Sequence, residues 1–160
     1  MQNRFNTRFI ARTAIIAAIY AALTIGLAPI SYMAIQFRLS EVLVLLAFVN
    51  PALAPGLILG TFIANLFSPL GLVDVVFGTI ATLMSIVFMI RSKNMWIASL
   101  YPTIFNGIII GLELHFVFAL PLALTILQVA AGEFVVVTIL GVPLAKQLLK
   151  NKSFMEKLEN

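Results

Sequence analysis

The sequence contains no cysteine, one histidine and one tryptophan, and only 10% of its 160 residues are charged. Without cysteine there is no disulfide, no thiolate metal site and no thiol nucleophile. His115 has no partner at ligand spacing, so a metal centre is not expected. Neither H-E-x-x-H, G-x-S-x-G nor the phosphate-binding G-x-x-x-x-G-K-[ST] occurs. The expectation is a non-enzyme with no cofactor, whose ATP hydrolysis, if any, resides in another chain. What the sequence has in quantity is apolar surface: 62% of residues are hydrophobic and the mean hydropathy is +1.11. That composition suits a polytopic membrane protein and leaves little chain for a soluble domain. The net charge of +4 would suit nucleic acid, but the basic residues stand at the ends of apolar runs, where cytoplasmic retention accounts for them.

The expected fold is all-α, a compact bundle of six transmembrane helices in one domain, with both termini cytoplasmic. The helices are placed at about 10–28, 39–49, 52–67, 73–90, 95–114 and 118–147, followed by a cytoplasmic tail at 148–160. Helix-ending chemistry separates them: Pro29 to Ser31, Asn50-Pro51, Ser68-Pro69-Leu70-Gly71 and Arg91-Ser92-Lys93-Asn94. The second and third runs fall short of the ~20 residues that cross a bilayer, so they could be a single Pro-broken span. Charge decides between the two readings. Six spans put Arg4, Arg8, Arg12, Arg91, Lys93, Lys146, Lys150, Lys152 and Lys157 inside and leave Arg38 alone outside; five spans externalise seven of the ten cations. Arg4, Arg8 and Arg12 before an apolar run also resemble a signal peptide, but Ala28 before Pro29 is a poor cleavage context, and the segment is expected to stay as the first span.

Ionisable groups within a bilayer cost roughly 2.5 to 3.5 kcal/mol on insertion scales, which makes each a functional candidate. Glu113 and Asn106 are seven residues apart, on one helix face, where a carboxylate and an amide can serve a flat polar ligand or bond to another helix. Glu133 lies deep in the sixth helix without an obvious basic partner; Gln128, five residues earlier, lies about 140° away around an ideal helix. Asp74 either faces a ligand or complements the dipole of the fourth helix. Asn65 and Ser68 close the third helix at the same level, with Ser68-Pro69 also suiting a plain turn, and Asn50 suits a cap. Arg38 stands three residues before Glu41, so a local ion pair competes with a ligand role. Residues 30–37 are apolar for a loop and carry Tyr32, Gln36 and Phe37, a candidate lid that stacks on a planar ligand. Ala14, Ala18 and Ala22, at spacing four, let another helix approach closely, whether from a partner or within the chain. Gly107 and Gly111 repeat the pattern, with internal packing favoured.

Several stretches together resemble the QueT family: Ala28-Pro29-Ile30-Ser31 with Ile35-Gln36-Phe37-Arg38-Leu39-Ser40-Glu41, Asn50-Pro51 with Pro55-Gly56, and Asn65-Leu66-Phe67-Ser68-Pro69-Leu70-Gly71. Asp74-Val75-Val76-Phe77-Gly78 with Ala81-Thr82-Leu83, Tyr101-Pro102 with Phe105-Asn106, and Gly111-Leu112-Glu113 extend the resemblance. It implies the substrate-binding S component of an energy-coupling-factor (ECF) transporter in a prokaryotic plasma membrane. Such a subunit takes up a queuosine precursor of the deazaguanine type and docks on a transmembrane coupling protein with two ATPase subunits. It also implies docking through an Ala-rich first helix, which Ala14, Ala18 and Ala22 match. A guanine-like edge presents adjacent N–H donors, and Glu113, Glu133, Asp74, Asn106, Asn65, Gln36, Phe37, Arg38 and Gln128 are the expected substrate contacts. An S component for another vitamin or nucleobase, or a membrane scaffold or regulatory subunit without transport, are the alternatives.

Overall fold

The computed structural model describes residues 7–32 and 36–151. Arg4, Lys152, Lys157, Glu156, Glu159 and most of the expected cytoplasmic tail lie outside the described residues, as do positions 33–35 of the candidate lid. The described residues are helical, with no strand among them. Six rods follow in chain order: α1 (Thr7–Gly26), α2 (Leu39–Val49), α3 (Pro51–Asn65), α4 (Leu72–Ile90), α5 (Met95–Phe118) and α6 (Leu122–Leu149). A separate helical turn covers Ala28–Ser31. Rods α1, α4, α5 and α6 are long and apolar enough to cross a membrane; α2 and α3 are shorter.

The punctuation read from the sequence is where the chain turns. Asn50 takes an extended conformation between α2 and α3, and its side chain accepts from the Ala52 amide at 3.0 Å, capping the next helix. Ser68 accepts from the Leu70 amide in the turn to α4, and Asn94 does the same for Trp96 before α5. Two boundaries differ from expectation. Helix α5 runs on to Phe118, and α6 begins only at Leu122, because Ala119 adopts a left-handed conformation with φ 54° that ends α5. His115 contacts the Leu120 carbonyl and ties that turn down.

Small residues set the helix spacing. A Cβ on Gly60 would lie 2.7 Å from the Tyr20 Cβ, and one on Gly56 would lie 2.9 Å from the Thr13 carbonyl, so α3 approaches α1 to backbone contact. Gly107 and Gly111 do the same for α5 against Ala130 and Ile126 of α6, which makes them internal packing. On α1 the inner row Ala17 and Ala21 is buried, while Ala14, Ala18 and Ala22 face outward and are exposed. The apolar core gathers Tyr20, Val44, Leu45, Leu57, Ile86, Met89, Val136 and Val137 in the half of the bundle away from the α3–α4 turn. Both the start of α2 and the end of α3 reach Asp74, through Arg38 and Asn65. The two short rods therefore form a hairpin, rather than one broken rod.

Candidate functional site

At one end of the bundle the core gives way to buried polar side chains. Tyr20, fully buried on α1, donates its hydroxyl to Glu41 Oε1 at the start of α2. One turn along, the Thr24 hydroxyl meets that of Ser40. Residues 36–38 lead into α2 through the interior: Gln36 and Arg38 are each 3% exposed, whereas Phe37 between them points outward. The position of this segment follows from Gly132, where a Cβ would sit 2.7 Å from the Gln36 carbonyl oxygen. The absence of a side chain lets the loop backbone lie directly against α6.

Arg38 is thereby delivered among carboxylates. Its Nη2 is 3.8 Å from Asp74 Oδ2, and its guanidinium lies 5.7 Å from the centre of the Tyr32 ring. Glu41 and Glu133 are also close enough to act on its charge, and Glu113 lies within reach of both Asp74 and Arg38. In place of the local pair with Glu41, Arg38 turns toward α4 and pairs with Asp74, while Glu41 Oε1 accepts from Tyr20. Asn65 donates to the Asp74 carbonyl at 3.1 Å, and Gly78 makes room for it: a Cβ there would be 2.5 Å from Asn65 Nδ2. Tyr32 donates to the Ala64 carbonyl at 2.7 Å. Burial raises its phenol above the usual range, Arg38 pulling the other way and Asp74 adding to the rise. Asn106 and Glu133 neighbour each other across the close α5–α6 contact.

The donor and acceptor inventory is unbalanced. Glu41 Oε2, Asn65 Oδ1, both oxygens of Asp74, both of Glu113 and Glu133 Oε2 are buried acceptors with no hydrogen-bond partner; Arg38 Nε and Nη2 and Asn106 Nδ2 are donors in the same position. Leaving such groups bare costs about 1–3 kcal/mol each, more when charged. Acceptors outnumber donors, and carboxylates outnumber cations by four to one, counting Glu41, Asp74, Glu113 and Glu133 against Arg38. A donor-rich, nitrogen-bearing guest matches that imbalance.

Of the residues singled out in the sequence, Gln36, Arg38, Asn65, Asp74, Asn106, Glu113 and Glu133 come together here. Phe37 is 38% exposed and Gln128 is half-buried. Helix α6 widens into π-helical turns over Phe134–Gly141, after Glu133, so the widening does not bring Gln128 round to the same face. Tyr20 and Glu41 complete the cluster and were not among the expected contacts. Tyr20 stands amid alanines on α1 and reads as packing; its partner is 21 residues away. A groove of about 410 Å³ between α4 and α5, lined by Val73, Phe77, Ile109, Leu112, Phe116 and Val117, shares Glu113 with the cluster and is otherwise apolar. No group of acidic, His or Cys side chains among the described residues is arranged to hold a metal ion.

The family model described as QueT transporter matches residues 10–150. The protein named Queuosine precursor transporter QueT from Lactococcus lactis subsp. cremoris (strain MG1363) is 37% identical over 137 residues, covering 76% of this chain and 80% of that one. No solved structure matches.

Proposed function

The chain belongs to the QueT transporter family and is a multi-pass membrane protein, and from that premise we propose that it is the substrate-binding S component of an ECF-type importer for a deazaguanine-type queuosine precursor. The observation that carries the reading is the buried, acceptor-rich cluster of Glu41, Asp74, Glu113 and Glu133 around Arg38. A guanine-like edge offers adjacent N–H donors to a carboxylate, and an aminomethyl substituent adds a cation that the excess of carboxylates favours. The relative's name, queuosine precursor transporter, supports this cargo.

In this reading α1 to α6 are six spans, with the short α2–α3 hairpin completing the bundle, and both termini are cytoplasmic. Exposed Arg8, Arg91, Lys93, Lys146 and Lys150 support that orientation, since all lie at the end opposite the polar cluster. The cluster then opens to the outside. Glu113, Asn106, Glu133, Asp74, Asn65, Gln36 and Arg38 hold the base, with Tyr32 beside the ring. Phe37 closes the mouth from the outer surface, and Gln128 stands apart. The exposed row Ala14, Ala18 and Ala22 supports docking on the coupling protein, which works with two ATPase subunits.

The test is gentle extraction of the protein and identification of any co-purified small molecule by mass spectrometry, followed by binding of deazaguanines to parent and Glu113→Gln. A retained deazaguanine, and a weaker hold on it in the variant, is the expected result. A different retained heterocycle moves the cargo assignment, and equal binding by Glu113→Gln removes that residue from the pocket.

A further inference from the structure

Arg38 is the cation of a carboxylate cluster, yet its pairing with Asp74 does not use its hydrogen-bonding capacity. The separation of 3.8 Å is too long for an N–H to O hydrogen bond, and Nε and Nη2 lack partners although the residue is 3% exposed. Backbone packing of Gln36 on Gly132 holds the segment in place, and Tyr32 covers one side of the guanidinium. Opposite-charge neighbours keep Arg38 in the cluster, and its two free donors need an acceptor that the protein does not supply. Asn106 Nδ2 is a third unpartnered donor, and every other unpartnered polar atom named in the cluster is an acceptor.

We infer that Arg38 is the specificity-determining residue that receives the ring carbonyl oxygen of the guest, while the carboxylates take its N–H edge. This deepens the function proposed above and rests on it. The guest must carry an acceptor beside its donors: an oxo group at the position facing Arg38 satisfies Nε and Nη2 together. A group there that accepts hydrogen bonds poorly leaves both donors unpaired. The cluster therefore reads the ring oxygen through this one side chain, while its carboxylates read the N–H edge.

The experiment compares two probes on the purified full chain: deazaguanine, and its thioxo analogue, in which sulfur, a weak acceptor, replaces the ring carbonyl oxygen while the ring N–H and the exocyclic amine are kept. The parent is expected to prefer deazaguanine by about 10- to 100-fold, the range of one charge-assisted hydrogen bond. Arg38→Gln should lose most of that preference, mainly by weakening deazaguanine, and Arg38→Lys, which keeps a charged donor, should restore part of it. A merely structural Arg38 would weaken both probes equally. Because Arg38→Gln could unfold the cluster, thermal unfolding of Arg38→Gln and Arg38→Lys is recorded beside binding, and Gly26→Ala, whose added Cβ meets nothing within 4 Å, serves as the variant that should keep the preference. An undiminished preference in Arg38→Gln, or none in the parent, overturns the inference while leaving the proposed cargo standing. Failure of the parent to bind either probe overturns both.

Discussion

Replacing Gly132 by alanine sets two physical effects against each other. Alanine in the interior of a helix is favoured over glycine by about 1 kcal/mol, so on propensity alone Gly132→Ala should stabilise α6. The added Cβ, however, would meet the Gln36 carbonyl oxygen at 2.7 Å, its carbonyl carbon at 3.1 Å and its amide nitrogen at 3.3 Å. All three are backbone atoms, so no rotamer change relieves the contact. Ordinary contact begins at 3.4 Å, and the segment must retreat by about 0.7 Å, carrying Arg38 with it. Overpacking of this kind costs about 1–3 kcal/mol, enough to cancel or reverse the propensity gain. Thermal unfolding in detergent should show Gly132→Ala at or below the parent, and affinity for deazaguanine should fall about 10-fold or more as Arg38 loses its placement. Gly26→Ala is the control, since nothing lies within 4 Å of its added Cβ, and it should be neutral or slightly stabilising. If Gly132→Ala is more stable than the parent and binds as tightly, the loop does not lie against α6 and the positioning of Arg38 is wrong.

Tyr20→Phe keeps the buried ring and removes the hydroxyl that serves Glu41, so a loss of about 1–3 kcal/mol is expected in the same unfolding assay. Gly78→Ala drives a Cβ into the Asn65 amide and the Asp74 carboxylate and should weaken guest binding more than it lowers stability, because both atoms belong to movable side chains. Ala18→Leu fills the exposed row of α1 and should leave unfolding and guest affinity unchanged while reducing recovery of the coupling protein in a pull-down of the assembled complex. Trp96 lies at the other end of the bundle, 5.1 Å from Lys146, so titration with guest should change its fluorescence little.

The sequence made the rods legible because each apolar run is bounded by turn chemistry that acts locally: Asn50 and Asn94 cap the very helices they precede. The glycine pair on α5 was legible for the same reason, spacing on one helix. What escaped depends on which elements meet. Arg38 pairs with Asp74 on α4 rather than with Glu41, three residues away, a contact between elements that no spacing rule along one helix contains. The path of residues 36–38 was hidden for a related reason: the gap at Gly132 admits the backbone between helices, so Gln36 and Arg38 enter the bundle and Phe37 is left on its surface.

Ala18 and Tyr20 are two positions apart on α1, about 200° around the helix axis, so one rod presents its small row outward and its phenol to Glu41. Under the docking proposed above, a twist of that rod by a protein gripping its outer side would reach, like the turn of a key, the carboxylate that Tyr20 holds within. On that proposal a single helix separates cargo from coupling machinery, with no long relay between them.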